Sequence, residues 1–418
     1  MIKNKKIKKI VDNWGFLFDG SLGGISFKSV FFAFKQALES EKLTIFNGQI
    51  DTNHGLPRFP SKYFSNYLLY LKKVREGEMP LSFIFLSITD RCPSNCLYCY
   101  NNSSSVDENR SELSFDKIKE ILVYFKENEP TVFQCCITGG EPMLRKDIIE
   151  IVRESSKNFF TFLNTSGEGF TEKHAKQLKE IGLGVLKVSL DHFDRDFVNE
   201  RRGNALAFDS AISAIKIAVK NGLYTSVAAV ASRRLLDKKN FLSFVYFLQE
   251  LGANDLRLYP YRKSGRAIDG EYFTAEEENK LGEYQLLVNK NKKLKIKMMS
   301  MSLIESAKFF GCTAGSRQLC INSDGSVTPC PYLALSLGNI NEEPIKKITN
   351  RFRECLSAPY RFCISNYLAA QGINLNNFWR DKNIKKNLEL LDSVPKTALP
   401  DIYKRMVCSD CHNKNYKK

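Results

Sequence analysis

From Leu81 onward the chain alternates short apolar runs with longer stretches of helical period. The runs are Leu81–Ile88, Val132–Thr138, Phe159–Leu163, Val185–Leu190, Tyr224–Ala231 and Asp255–Tyr259. A short apolar run bounded by turn-forming residues reads as a strand buried on both faces. Between the first two runs, Ser114 opens a helix with Phe115, Ile118, Ile121, Leu122 and Phe125 on one face, serine being a favoured N-cap. Further helices are predicted over Thr171–Ile181, ending at Gly182, Phe208–Asn221, ending at Gly222, and Asn240–Leu251, ending at Gly252. Glycine just past a helix supplies the left-handed stop that turns the chain into the next strand. Six strand–helix repeats in order predict parallel strands joined by right-handed crossovers. Six units fall short of the eight that close a full barrel.

The flanks are less regular. Residues 1–80 form an N-terminal extension without an assignable motif. Trp14–Phe18 and Gly24–Phe32 read as short strands or a turn, Lys35–Lys42 as a helix, and Tyr63–Lys73 as an amphipathic helix leading into the barrel. The extension fits a small peptide-recognition region or packing elaboration. The core is expected over residues 81–275 and a third region over 276–418. There Thr274–Asn289 reads as a linking helix, and the polar, Lys-rich Asn376–Met406 has a helical spacing that would bring Cys408 back toward Cys312 and Cys330.

Composition changes this picture in two places. A chain of 418 residues with 43% hydrophobic content is long enough for two or three domains around a sizeable core. No apolar stretch is long enough to span a bilayer. Met1–Lys9 has the charge of a signal peptide, but Asp12 and Asp19 break the segment behind it, so a cytoplasmic protein without a membrane partner is expected. The net charge of +16 comes mostly from dispersed lysines, with modest clusters at Lys3–Lys9, Lys290–Lys297 and Lys414–Lys418. A solvated basic surface accounts for it better than a nucleic-acid site, with attraction to an acidic peptide or to RNA left open.

Twelve cysteines point to metal or redox work, since disulfides are rare in the cytosol. Cys92, Cys96 and Cys99 follow the first strand in one loop. Three thiolates from one loop make a soft set that selects zinc or iron–sulfur, and a structural zinc would need a fourth ligand that no nearby His, Asp or Glu supplies at a familiar spacing. After the second strand comes Thr138-Gly139-Gly140-Glu141-Pro142, where paired glycines allow close approach to backbone and a carboxylate can receive an ammonium. Cys135 and Cys136, adjacent on that strand, face opposite sides. One of them could point into the barrel as a hydrogen-atom donor, against the plainer reading of small buried hydrophobes. Arg202 suits carboxylate recognition or a surface ion pair. Cys312 and Cys330 flank the tight turn Asp324-Gly325, and Cys408-Ser-Asp-Cys411 is a C-x2-C. Together these four thiols suffice for a closed cluster or a zinc.

The spacing C-x3-C-x2-C, with Tyr98 just before its last cysteine, resembles the signature of the radical S-adenosylmethionine (SAM) enzymes. The resemblance implies a partial (β/α)6 TIM-like barrel. It also implies a [4Fe–4S] cluster on Cys92, Cys96 and Cys99 whose open iron is chelated by SAM. Tyr98, Gly139, Gly140 and Glu141 then fall at SAM-contact positions. Asn164-Thr165-Ser166-Gly167 stands where many relatives carry Thr-Asn-Gly, which places Ser166 there too. Ser189-Leu190-Asp191-His192 with Arg202-Gly203 is similar to the Ser-Leu-Asp-Gly and Arg-Gly pair of peptide-modifying relatives, with His192 at the usual Gly. It thereby assigns Ser189, Asp191 and Arg202 to SAM. Pro260–Ala267 resembles the segment that closes the barrel mouth. In the tail, C-x12-G-x4-C followed by Leu337-Gly338-Asn339-Ile340 resembles the start of a SPASM domain. With the C-x2-C lying seven residues from the end, it is similar to the shortened "twitch" form. That form implies one auxiliary [4Fe–4S] cluster on Cys312, Cys330, Cys408 and Cys411, leaving Cys320, Cys355 and Cys363 as core or free thiols, any one of which could substitute. The implied activity is hydrogen abstraction from a peptide or protein by a maturase, with a flavodoxin- or ferredoxin-type electron donor. A small-molecule oxidase, RNA modification and a zinc-binding or electron-transfer module are the alternatives.

Overall fold

The computed structural model describes residues 41–51, 55–101, 103, 112–269, 272–378 and 383–407. The expected elements before Glu41, and Cys408 and Cys411, lie outside the described residues. All six predicted strands form, as β3 (Phe83–Ser87), β4 (Gln134–Thr138), β5 (Phe160–Thr165), β6 (Val185–Ser189), β7 (Thr225–Val230) and β8 (Asp255–Tyr259), after a short hairpin of β1 (Thr44–Phe46) and β2 (Gln49–Asp51). They pair parallel in chain order. The four predicted crossover helices form where periodicity and caps place them, and a further one, Ile148–Asn158 between β4 and β5, is added by the structure. Ser114 accepts a hydrogen bond from the Lys117 N–H at the start of Phe115–Asn128, and Thr171 and His174 close a capping box ahead of Glu172–Ile181.

The sheet is larger than six strands. β9 (Lys297–Ser300) adds parallel to β8, and β10 (Gln318–Ile321) adds parallel to β3, with β11 (Val327–Thr328) antiparallel outside it. The nine strands leave β9 and β11 as the two edges, so the sheet curves without closing. Periodicity misses β9 because its first residue is a lysine. Lys297 is buried and ion-paired with Asp51 of the N-terminal hairpin, a partner visible only in three dimensions. The hairpin plugs the lower end of the sheet, where Asp51 also accepts from Arg58 Nε at 3.1 Å and from the Tyr224 hydroxyl at 2.9 Å.

Alternation along the strands separates two environments. Ile84, Leu86, Cys135, Ile137, Leu163, Leu186, Val188, Val227, Leu256 and Leu258 pack outward against the helices in the main core. Phe85, Phe162, Asn164, Lys187, Ser189, Ala228, Arg257 and Tyr259 point inward and line a cavity of about 370 Å³. The expected helix at Tyr63–Lys73 is observed at Phe64–Arg75; its Phe64, Tyr67, Leu68 and Leu71 form a second core with Ile402 and Tyr403 of the last described helix, Asp401–Met406. The expected single helical span over 376–406 is broken, with Ile384–Asp392 and Asp401–Met406 separated by Pro395 and Pro400, because proline cannot continue a helix. Among the described residues no helix is long and apolar enough to cross a membrane.

Candidate active site

The cavity opens at the C-terminal ends of the strands, where parallel barrels place their chemistry. Cys92, Cys96 and Cys99 line it together. Burial pushes the Cys92 thiol up to about 12, with Cys96, Glu141 and Cys99 adding to it against the Ser94 N–H, and pushes Cys96 up to about 11 against the Arg202 guanidinium. Half-buried thiols that repel one another as anions fit a metal centre, whose positive charge supplies what the site lacks and displaces the protons. The three frame one end of the cavity, and among the described residues no three such groups close on a single ion-sized point.

Three separate segments fix this cysteine loop. The Gly140 N–H donates to Thr89 O at 2.7 Å and the Glu141 N–H to Arg91 O at 2.8 Å. A Cβ at Gly139 would lie 2.3 Å from Thr89 O and one at Gly140 2.1 Å from Arg91 O. Sequence reasoning reserved these glycines for a ligand's approach. Both line the cavity, but what demands glycine is the backbone of the cysteine loop itself. From the helix Arg195–Arg202, the carbonyls of Arg202 and Arg201 accept from the Asn95 and Leu97 N–H groups, each at 3.0 Å. From Ser264-Gly265-Arg266, the Arg266 N–H donates to Cys99 O at 3.0 Å and its Nε to Cys96 O at 2.7 Å. A Cβ at Gly265 would lie 2.1 Å from Cys99 O.

Of the eight residues expected around SAM, seven line the cavity: Tyr98, Gly139, Gly140, Glu141, Ser166, Ser189 and Arg202. Asp191 does not. It is fully buried behind the wall, where Oδ1 accepts from Arg202 Nη2 at 2.9 Å and from the Val230 N–H at 2.9 Å, and Oδ2 accepts from the Tyr98 hydroxyl. Both its oxygens serve neighbours, so it positions two wall residues rather than touching the cavity. Burial works against the Arg202 charge, and Asp191 beside it more than restores it. Glu141 is also heavily used. Oε1 accepts from Thr165 Oγ1 at 2.8 Å and the Met143 N–H at 2.9 Å, and Oε2 from Ser166 N–H at 2.5 Å and Oγ at 2.6 Å. Four donors match what a carboxylate accepts, so Glu141 clamps the glycine turn to the end of β5. His192 sits without a left-handed backbone, its ring stacked 4.2 Å from that of Phe193.

Neither weak catalytic candidate reaches the cavity. Cys135 packs in the outer core, and Cys136 faces inward but lies under Phe160, Phe162 and Tyr224. Burial holds both thiols up, so nothing about them marks a reactive group.

The late cysteines assemble differently from expectation. Cys312 hydrogen-bonds Cys363, Cys330 lies near enough to push the Cys312 thiol up electrostatically, and Cys363 in turn pushes Cys330 up. Cys363 is held low by the Cys312 thiol and by Arg262, which is itself paired to Glu305 at 2.7 Å. The backbone explains the meeting, because Cys312 and Tyr360 exchange two hydrogen bonds, at 2.8 and 2.9 Å, three residues before Cys363. Sequence spacing set Cys363 aside as outside the cluster pattern. The only available signal was its place in a segment that contains no other cysteine between Cys355 and Cys408. Cys320 and Cys355 remain buried core thiols. The two cysteine groups are neighbours: Tyr100, next to Cys99, meets Tyr332, two residues past Cys330, edge-on with centroids 5.2 Å apart.

This geometry has counterparts among known proteins. The model of the radical SAM superfamily matches residues 86–234, and that of the SPASM iron–sulfur cluster-binding domain matches residues 312–366. An AdoMet-dependent heme synthase of Methanosarcina barkeri is 24% identical over 286 residues, 62% of this chain and 80% of the relative. Among solved structures, Streptococcus suis SuiB bound to its precursor peptide SuiA shares the fold at a TM-score of 0.55 and 17% identity, over 79% of this chain and 81% of SuiB. So does anSMEcpe with bound AdoMet and Cp18Cys peptide, at 0.52 and 15%, over 75% of this chain and 100% of the other. The chain therefore carries a radical SAM domain followed by a SPASM iron–sulfur domain, and the cofactors of this pair are SAM, a SAM-binding [4Fe–4S] cluster and auxiliary iron–sulfur.

Proposed function

We propose that this enzyme matures a ribosomally made peptide or protein by cross-linking, thioether formation, epimerisation or oxidation. The make-up of the cavity wall carries this reading. Beyond the cysteine loop the wall is completed by a single apolar cluster, to which the N-terminal region gives Leu56, Tyr67 and Tyr70 and the C-terminal region gives Phe309, Phe310 and Met406. A chamber framed by aromatic and aliphatic groups from both flanks suits a side chain delivered on an extended chain. The peptides held by SuiB and anSMEcpe support it.

When bound, the reduced cluster and SAM would supply radical chemistry able to take a hydrogen atom from an unactivated carbon. The protein's own residues orient and seal. Cys92, Cys96 and Cys99 are assigned to the cluster, and Tyr98, Gly139, Gly140, Ser166, Ser189 and Arg202 to SAM, with Glu141 and Asp191 holding those residues in place. Cys312, Cys330 and Cys363 are assigned to the auxiliary cluster, together with Cys408 or Cys411. The resemblance to a heme synthase favours a second reading, oxidation of a small molecule.

The test is the intact mass of a short peptide encoded beside this gene after anaerobic co-expression. A loss of two hydrogens, absent with Cys92→Ala, is the expected result for cross-linking or oxidation. An unchanged mass with altered retention indicates epimerisation. An untouched peptide shifts the assignment to a small molecule.

A further inference from the structure

Beneath the SAM-contact level, the inner face of the sheet carries a second layer of side chains pointing into the cavity, and two of them are cations. Lys187 of β6 is only 6% exposed and Arg257 of β8 only 5%, and both line the cavity wall. A lysine buried this far ordinarily has a carboxylate partner, because stripping an ammonium of water without one is costly. Among the described residues Lys187 has none. Its Nζ donates to the Tyr259 hydroxyl at 3.3 Å and stands 5.2 Å from the centre of the Phe162 ring. Arg257 lies over the same ring at 4.9 Å and reaches Asp255 only through Nε, at 3.5 Å, while Asp255 is already engaged by Tyr224 and Ser226. Between these strands β7 presents Ala228, in register with Arg257 and with Ser189, one inward position nearer the mouth than Lys187, so on the cavity wall it leaves room beside Arg257 and above Lys187. Asn164 stands beside Lys187 in the register of β5 and β6, and its buried Oδ1 accepts no hydrogen bond among the described residues.

We propose that Lys187 and Arg257 form a subsite for a carboxylate of the substrate, with Ala228 leaving the room and Asn164 Oδ1 receiving an adjacent amide N–H. A carboxylate fits better than a phosphoryl group. Two charged donors stand over the one Phe162 ring with Phe83 and Phe85 beside it, a number that matches the two oxygens of a carboxylate. The inference deepens, and rests on, the reading of this cavity as the substrate chamber.

Isothermal titration calorimetry on the reconstituted enzyme with SAM present tests it. The probes are acetyl-Gly-Glu-Gly-amide, its Gln counterpart, acetyl-Gly-Gly-Gly with a free C-terminus, glutarate and inorganic phosphate. At least one carboxylate probe is expected to bind roughly tenfold or more tightly than the Gln peptide, a margin that Lys187→Met abolishes and Lys187→Arg largely keeps. The free-acid and Glu peptides distinguish a C-terminal from a side-chain carboxylate. Glutarate binding without either peptide keeps the subsite and overturns the peptide reading. Equal binding of the Glu and Gln peptides with no response to glutarate or the free acid overturns the subsite. So does a preference untouched by Lys187→Met, or a phosphate-only response. Should Lys187→Met lose iron or helical circular dichroism, Ala228→Leu, which fills the space without touching either charge, is expected to produce the same loss of carboxylate binding.

Discussion

At Asp191 a single buried carboxylate holds a cation and a phenol on the wall of the cavity. The two contacts differ in weight. Removing the hydroxyl with Tyr98→Phe costs one hydrogen bond to a charged acceptor, about 1.5–3 kcal/mol. Asp191→Asn leaves the buried Arg202 guanidinium without its counter-charge, and breaking such a pair costs roughly 3–5 kcal/mol. Thermal unfolding of the reconstituted enzyme should therefore show a larger drop in Tm for Asp191→Asn than for Tyr98→Phe. Equal drops would mean that the charge pair carries no more than the hydrogen bond. Both variants should weaken SAM binding, because both release a wall residue.

At the scale of elements, the cysteine loop is a short irregular segment that owes its shape to three neighbours from different crossovers. The glycine turn after β4 and the Ser264–Arg266 segment after β8 press on its backbone from two sides. Gly140 has no left-handed φ, so Gly140→Ala acts through contact alone, the new methyl meeting Arg91 O. Overpacking of this kind costs roughly 1–3 kcal/mol. Here the displaced group is the loop itself, so the expected outcome is loss of cluster iron at nearly unchanged helical content. Gly265→Ala, with φ +55° and Cys99 O in the way, should do the same more severely. Iron analysis with circular dichroism after anaerobic reconstitution checks both, and full iron loading in either variant would show that the loop does not depend on these approaches.

Across the whole molecule, β10 ties the two cysteine groups into one sheet by pairing with β3, the strand that leads into the first group. The edge contact of Tyr100 with Tyr332 completes the link. The groups should nonetheless load metal separately, because their thiols touch different residues. Cys363→Ser is expected to lower iron content and auxiliary-cluster absorbance while 5′-deoxyadenosine is still formed from SAM. Cys92→Ala should abolish that cleavage and keep the auxiliary signal. Full iron content in Cys363→Ser would remove Cys363 from the ligand set, whatever its contact with Cys312.

Local signals were enough for much of this. Apolar runs and capping residues located the six strands and four of the crossover helices, because a buried strand must be apolar and a helix end must satisfy its free N–H and C=O groups. Ligand spacing within one loop exposed Cys92, Cys96 and Cys99, since a loop that gathers three thiols must carry them close together in the chain. Tertiary structure alone decided the rest, because those contacts join residues remote in sequence. Lys297 could be buried in a strand only once Asp51 was there to meet it. Cys363 joined Cys312 through a pairing at Tyr360 that no spacing rule describes. Asp191 and Glu141 have the residue types of ligands, but whether a carboxylate faces a ligand or its own fold depends on which donors the packing brings to it, and here packing brought several to each.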